Sequence, residues 1–194
     1  MEEVLPEFFK GARQRAIAKF GKEAEDIIYL KFYKDGGAAA EIIDHFGVEG
    51  LNALKQVNNI QDAASELIKG KTAYRYIDSD VSYLNDLKQT GRIPSNADKT
   101  YFTLDKFENS SVAMSKAQLP KSNNAKWRLE FNADQIVNNV ELPYAKYQNA
   151  EYIEVLARSY PKLGEGGATQ FLTTSEIRIT KMTNIETGEI IIFK

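Results

Sequence analysis

The five residues Ala73-Tyr74-Arg75-Tyr76-Ile77 mark the place where the sequence changes from helical to strand patterning. Aromatic and β-branched side chains dominate this stretch, which predicts a β-strand. Upstream of it, apolar residues recur at the spacing of amphipathic helices, as in Ile17 and Phe20, in Ala24, Ile27 and Ile28, and in Ala39, Ile42 and Ile43. The composition therefore divides the chain at Gly70 into a helical segment, residues 1–70, and a second domain, residues 71–194.

The helical segment contains a weak internal repeat. Residues 20–28, 36–43 and 46–54 each combine a glycine with a short amphipathic stretch. A glycine can end one helix and release the backbone for the next, so we expect a series of short helices here. A further helix is predicted over residues 60–69.

The second domain is predicted to alternate helices with short strands. Asp78-Ser79-Asp80 is expected to cap a helix over residues 81–89, and Pro120 to stop a helix over residues 111–119. Strands are predicted at 100–103, 126–131, 169–174, 176–182 and 189–193, with a turn at 186–188. The predicted fold class is α+β: a helical N-terminal segment followed by a compact, mostly antiparallel β domain with flanking helices.

The residue inventory excludes several kinds of chemistry. The 194 residues contain no cysteine, and the single histidine, His45, lies in the helical segment. Disulfides, thiolate metal sites and a cysteine nucleophile are excluded, and the second domain has no histidine for acid–base catalysis or metal binding. No apolar run approaches the roughly 18 residues of a membrane span. We expect no metal and no membrane span.

Charge weighs against a nucleic-acid enzyme. The formal net charge is −2. Residues 1–70 carry 9 basic and 12 acidic side chains, and residues 71–194 carry 16 and 15. A nuclease must attract a polyanion, and the near-neutral second domain disfavours that class.

One reaction suits a domain that offers Arg, Tyr, Ser, Thr, Gln and Glu. Cleavage of the nicotinamide–ribose bond of NAD needs no protonation of the leaving group, which already carries positive charge. Its transition state resembles the oxocarbenium ion of glycoside chemistry. An arginine can bind the pyrophosphate, hydroxyls can hold the ribose, and a Glu or Gln can lie near the sugar.

Short motifs of the second domain carry a resemblance. They are YRYI at 74–77, LKQTGRIP at 87–94, TYFTLD at 100–105, SSVA at 110–113, AQLP at 117–120, WRLEF at 127–131, GGATQF at 166–171 and IRI at 177–179. Together they resemble the C-terminal toxin domains of Rhs and related contact-dependent polymorphic toxins. The glycine–helix repeats resemble the segments that precede such toxins. The nearest types are an ADP-ribosyltransferase that modifies a translation factor and NAD glycohydrolases with a Gly-Gly-x-Thr-Gln element.

The resemblance implies roles for five residues. Arg75 would hold the phosphate or ribose of NAD, and Tyr101 and Thr103 would support the ribose or stack on nicotinamide. Gln170 stands where the transferases carry their catalytic Glu. Glu176 could supply that carboxylate if the strand register differs. Because the side chain of Gln170 is not a carboxylate, this departure from the transferase pattern weakens the expectation of transfer to a protein acceptor more than that of simple NAD hydrolysis.

Structural roles compete with these assignments. Arg75 could be a surface arginine stacked on its neighbouring tyrosines, and Tyr101 could belong to the core. The loop 166–167 could be merely flexible, and Glu176 a charge at a strand edge. Trp127 is expected in the core.

Three functions follow from these observations. The first is an interbacterial toxin, delivered as part of a larger protein into the target-cell cytoplasm, which consumes NAD by ADP-ribosyl transfer or by hydrolysis. Its partners would be an immunity protein and an intracellular target. The second is a ribonuclease toxin that cleaves tRNA or other RNA, and the third a non-enzymatic delivery or binding module.

Overall fold

The computed structural model describes residues 7–147 and 150–194. The chain divides into two compact units. Unit 1 comprises the residues up to Leu67 together with Leu142–Val155, and unit 2 comprises Ile68–Glu141 and Leu156–Lys194. Helices dominate the start of the chain and antiparallel strands the remainder, so the predicted α+β class is confirmed.

Unit 1 is built from short helices, as the glycine–helix repeats predicted. The helices are α1 (Glu7–Phe20), α2 (Lys22–Asp26), a π-helical turn (Ile27–Lys31), α3 (Gly36–Phe46), α4 (Val48–Gln56), a 3-10 turn (Ile60–Asp62) and α5 (Ala63–Ile68), which ends at the border of the unit. Gly47 separates α3 from α4 with φ of 60°, a conformation that favours glycine. Gly37 has a different function: a Cβ there would lie 2.6 Å from the Phe9 ring, so its absence allows α1 and α3 to pack closely.

A β-hairpin completes unit 1. It consists of β5 (Tyr144–Tyr147) and β6 (Ala150–Ile153). Tyr152 of β6 meets the Phe9 ring edge-on at a centroid distance of 5.3 Å. The Gln61 side chain donates to Leu142 O (3.0 Å) and accepts from Leu142 N (2.7 Å). Residues 142–155, which the division at Gly70 placed in the second domain, therefore pack with the helices.

Unit 2 is built mainly from short antiparallel strands. They are β1 (Thr72–Ile77), β2 (Arg92–Ile93), β3 (Thr100–Phe102), β4 (Trp127–Asn132), β7 (Phe171–Thr173), β8 (Ile177–Arg178), β9 (Lys181–Asn184) and β10 (Ile190–Ile192). Four of them form a sheet in the order β1-β4-β9-β10, and the others form the two-stranded pairs β2–β8 and β3–β7. Two helices, α6 (Leu84–Thr90) and α7 (Ser110–Lys116), accompany them.

Two helix boundaries differ from the predicted ones. Asp78-Ser79-Asp80 caps no helix: Asp78 Oδ1 accepts from Asp80 N at 2.6 Å in a local turn, and α6 begins later, at Leu84. Helix α7 ends at Lys116 and not at residue 119, because Gln118 turns the chain with φ of 48°. Short polar side chains bind the backbone of turns as readily as they cap helices.

The prediction of a single strand over residues 176–182 is wrong. This segment forms two strands, β8 and β9, which belong to different sheets. Between them, Ile179 N donates to Gly91 O (2.8 Å), whereas Thr180 N donates to Glu130 O (2.8 Å). The backbone therefore changes partner within two residues, and side-chain alternation continues through this change.

The two faces of the four-stranded sheet differ in polarity. Cross-strand register and alternation place an apolar row on one face: Ala73, Ile77, Trp127, Leu129, Phe131 and Met182. Trp127 is 3% exposed, so its predicted core position is confirmed. The opposite face carries Tyr74, Tyr76, Arg128, Glu130, Lys181 and Thr183. Among the described helices, none is long and apolar enough to cross a membrane.

Candidate functional site

Arg75 lies on the apolar face of the sheet. It is directly opposite Leu129 of β4, and alternation along β1 directs the neighbouring tyrosines to the other face. Arg75 is therefore not stacked between Tyr74 and Tyr76. The residue is half-buried, and its Nη1 donates to Tyr101 O at 2.7 Å. No carboxylate of the described residues pairs with it, which is unusual for a guanidinium that is partly withdrawn from water.

Tyr101 lies on β3, and Thr103 directly follows that strand. Tyr74 of β1 and Thr103 exchange two backbone hydrogen bonds (2.8 and 2.9 Å) in an isolated bridge. Beyond this bridge, the Arg75 side chain, and not a backbone N–H of β1, donates to Tyr101 O. The Tyr101 side chain is 48% exposed, so the alternative core assignment is wrong. Tyr101 therefore offers an accessible aromatic ring, while its backbone carbonyl binds the Arg75 guanidinium.

A hydrogen-bonded triangle joins Thr103 to Asp105 and Thr169. Asp105 Oδ2 accepts from Thr103 Oγ1 (2.9 Å), Thr169 Oγ1 (2.8 Å) and Thr169 N (2.6 Å), and the two hydroxyl oxygens lie 2.9 Å apart. The hydroxyls of Thr103 and Thr169 have two protons for the three oxygen–oxygen contacts of the triangle, so at any moment one of these contacts is not a hydrogen bond. Within the described residues no donor reaches Asp105 Oδ1. The triangle thus fixes a carboxylate by one oxygen and leaves the other available.

Backbone amides complete this triangle. Leu104 N donates to Thr169 Oγ1 (2.9 Å), and Asp105 N donates to Thr103 Oγ1 (3.1 Å). Thr103 and Thr169 are 5% and 1% exposed. The sequence analysis did not select Asp105 as a site residue; the Thr-x-Asp spacing within TYFTLD was the available signal, but its partner lies 64 residues further along the chain.

Gln170 follows the triangle directly. It lies between Thr169 and Phe171, and Phe171 pairs with Phe102 of β3. The stacked rings of Phe102 and Phe171, with centroids 5.6 Å apart, hold the two strands together. Half-buried Gln170 therefore lies directly before β7, the strand that pairs with β3.

The loop that precedes Thr169 has a defined conformation. Gly166 N donates to Ser115 O (3.0 Å), and Gly167 N to Ala157 O (2.7 Å). Gly166 has φ of 74°, and a Cβ there would lie 2.1 Å from Ala157 O. Glycine is therefore required at position 166, where the chain passes the end of α7 before it reaches Thr169.

The segment 105–108 is also held from the polar face of the sheet. The Tyr76 hydroxyl donates to Asp105 O (3.1 Å) and accepts from Phe107 N (2.6 Å). Burial raises the pKa of Tyr76 far above its ordinary value, so it stays a neutral donor. Arg128, 3% exposed, donates to Phe107 O (2.9 Å) and Glu108 Oε2 (2.6 Å). Bonds from Lys106 and then Arg128 lower the pKa of Glu108 to about 2.

Glu176 lies outside this group. It precedes β8, is exposed, and its Oε1 is 3.4 Å from Arg92 Nη1 and 3.7 Å from Arg178 Nε. Its catalytic role stays a prediction, as do those of the other four residues. The structure joins Arg75 to the backbone carbonyl of Tyr101 and bridges Thr103 to Tyr74, whose side chain lies on the face opposite Arg75. It places Gln170 directly before β7 and adds Asp105 and Thr169.

Among the described residues, no three His, Cys, Asp or Glu side chains converge as metal ligands would.

Comparison of the chain with protein-family models, with curated proteins and with solved structures gives no match.

Proposed function

We propose that this protein is a toxin enzyme that cleaves the nicotinamide–ribose bond of NAD, with hydrolysis as its principal reaction. The observation that carries the proposal is the environment of the Arg75 guanidinium. A half-buried guanidinium on an apolar face, hydrogen-bonded to a carbonyl and unmatched by any described carboxylate, supports binding of an anionic group from a ligand. The pyrophosphate of NAD fits a planar guanidinium, which can donate two parallel hydrogen bonds to it.

The neighbouring groups support the rest of the reaction. The exposed Tyr101 ring offers a stacking surface for nicotinamide. Breaking the C1′–N bond sends its electron pair to the nicotinamide nitrogen and leaves an oxocarbenium ion. A water adds to C1′ and gives up a proton to solvent, which yields ADP-ribose. Negative charge placed beside the developing cation accelerates this step.

Asp105 supplies the carboxylate that Gln170 lacks. Oδ2 is fixed by three donors, so the available Oδ1 can face the ribose without a reorganisation cost. Gln170 would hydrogen-bond a ribose hydroxyl. With Asp105 Oδ1 directed at the ribose cation, Gln170 is left beside the acceptor position and cannot act as a base there, which favours hydrolysis over ADP-ribosyl transfer. The proposed setting is delivery into a target-cell cytoplasm, with an immunity protein as the protective partner.

Purified protein tests the proposal by release of nicotinamide from NAD. The wild-type chain should form nicotinamide, and Arg75→Gln should reduce the rate by about a hundredfold or more. Arg15→Gln is the matched control, because Arg15 is an exposed arginine paired with Asp44. In cells, induced expression should lower NAD and arrest growth, and co-expressed immunity protein should restore it.

Two outcomes would contradict the proposal. One is the absence of nicotinamide release by folded wild-type protein; the other is an Arg75→Gln variant as active as Arg15→Gln. If growth still stopped while NAD stayed constant, RNA integrity in the arrested cells would test the ribonuclease alternative.

A further inference from the structure

Two arginines lie directly opposite each other on the β2–β8 pair. Arg92 of β2 is in register with Arg178 of β8. The adjacent pair is joined by the Ile179 N to Gly91 O hydrogen bond (2.8 Å), so Arg92 and Arg178 occupy the non-hydrogen-bonded position, where opposite side chains come closest. Like charges at such a position are unfavourable, so an anion close to both guanidinium groups stabilises the pair.

Glu176 provides incomplete compensation. One oxygen, Oε1, approaches both guanidinium groups, at 3.4 Å from Arg92 Nη1 and 3.7 Å from Arg178 Nε. Charge-assisted hydrogen bonds of this kind are ordinarily about 2.7–2.9 Å long. In the described part of the chain, no other acceptor binds either guanidinium. The side chains of Arg92 and Arg178 are 53% and 73% exposed, so their unused donors are accessible and the group of three carries a net positive charge.

The backbone of Arg178 is fixed. Gln135 accepts from Arg178 N with Oε1 (2.7 Å) and donates to Arg178 O with Nε2 (3.0 Å). The same Nε2 donates to Asn132 O (2.8 Å). Gln135 thus pairs with β8 as a neighbouring strand would, and it fixes the backbone from which the Arg178 side chain extends. Such preorganisation lowers the cost of binding.

We propose that Arg92 and Arg178 form a binding site for a phosphate group, which Glu176 occupies when the ligand is absent. A phosphate presents several oxygens to two planar guanidinium groups, whereas the single oxygen of Glu176 is shared between them at long distance. Binding therefore displaces Glu176 and gives both arginines short hydrogen bonds. The site stands independently of NAD cleavage, and the phosphate can belong to a nucleotide or to a nucleic-acid backbone.

Titration with inorganic pyrophosphate tests the site. The Nε–Hε resonances of the arginines report binding at each guanidinium. Arg92→Gln and Arg178→Gln should each weaken pyrophosphate binding by about tenfold or more, since each removes a charged donor pair. Glu176→Gln should strengthen it by roughly three- to tenfold, because the internal competitor loses its charge. Arg15→Gln, which alters an arginine satisfied by two hydrogen bonds to one Asp44 oxygen and one to the other, should bind as the wild type does.

A second titration distinguishes the two sources of phosphate. If a uridine tetranucleotide binds more tightly than pyrophosphate and depends on both arginines, the ligand is a nucleic-acid backbone; the reverse order indicates a nucleotide. The proposal is overturned if the wild-type protein binds neither probe, if the arginine variants bind as tightly as wild type, or if Glu176→Gln gains no affinity. Fluorescence of Trp127, the single tryptophan, confirms that each variant is folded in unit 2.

Discussion

Replacing Thr169 by valine should destabilise unit 2 through the polar triangle. Valine keeps the branched shape, but Leu104 N loses its acceptor and Asp105 Oδ2 loses a donor. A buried donor left without a partner costs about 1–3 kcal/mol, and a hydrogen bond to a charged group contributes about 1.5–3 kcal/mol. The methyl group that valine adds is buried, and it raises the free energy of unfolding by about 0.8 kcal/mol. We therefore expect the free energy of unfolding to fall by about 2–5 kcal/mol.

Thr169→Ser is the matched control, because it retains the hydroxyl and removes a buried methyl, at a cost of about 1 kcal/mol. Urea unfolding followed by Trp127 fluorescence reports on unit 2, since Trp127 is buried in β4. Valine should destabilise more than serine, with equal m-values. If the valine variant is as stable as the serine variant, the triangle contributes no net stability and the argument from its hydrogen bonds is refuted.

Three further predictions follow from other contacts. Gly166→Ala should destabilise unit 2 by more than about 2 kcal/mol, while Gly188→Ala, with positive φ but open space around it, should cost about 1 kcal/mol. Urea unfolding measures both variants, and equal losses of stability would contradict the steric argument. The pKa of Glu108, lowered to about 2, means that the unfolded chain binds more protons than the folded chain below about pH 4.5. Stability should therefore fall as pH drops from about 4.5 to 2, and Glu108→Gln, followed by thermal unfolding across this range, should reduce that slope; an unchanged slope would exclude Glu108 as its source. Deleting residues 1–70 should leave the β5–β6 hairpin without its helical partners. Limited proteolysis should therefore cut the hairpin first in the fragment but not in the full chain. A fragment as protease-resistant as the full chain would refute this prediction.

Local patterning predicted the strands that form the centre of unit 2. The stretches containing Arg75 and Trp127 became β1 and β4 because alternating side chains report directly on a strand with two different faces. The pattern could not indicate which face of β1 is buried, since one face carries two tyrosines and the other carries Arg75; the packing of Leu129 opposite Arg75 decides it. It also could not separate β8 from β9, because the change of backbone partner leaves side-chain alternation intact.

Long-range contacts account for most of what the sequence did not reveal. The triangle of Thr103, Asp105 and Thr169 joins residues more than 60 positions apart, and nothing local predicts such a meeting. The β5–β6 hairpin was missed for a similar reason: its stabilising partners, including Phe9 and Gln61, lie in the first third of the chain. Glu176 was considered as a carboxylate for the NAD site, but its contacts with Arg92 and Arg178 require the cross-strand register.

The insertion of residues 142–155 into unit 1 imposes an order on biosynthesis. The helices leave the ribosome first, but they cannot acquire the hairpin until residues 68–141 have followed them. Closing an unstructured loop of that length costs about 4 kcal/mol in chain entropy. Folding of unit 2 reduces this cost, because Gly70 N donates to Asp134 Oδ1 (2.7 Å) and Ala133 N to Lys71 O (2.9 Å), which draws the two ends of the segment together. The N-terminal part of this protein thus cannot complete its packing until residue 155 has been made, and a nascent chain halted before residue 142 should expose the helix surfaces to chaperones.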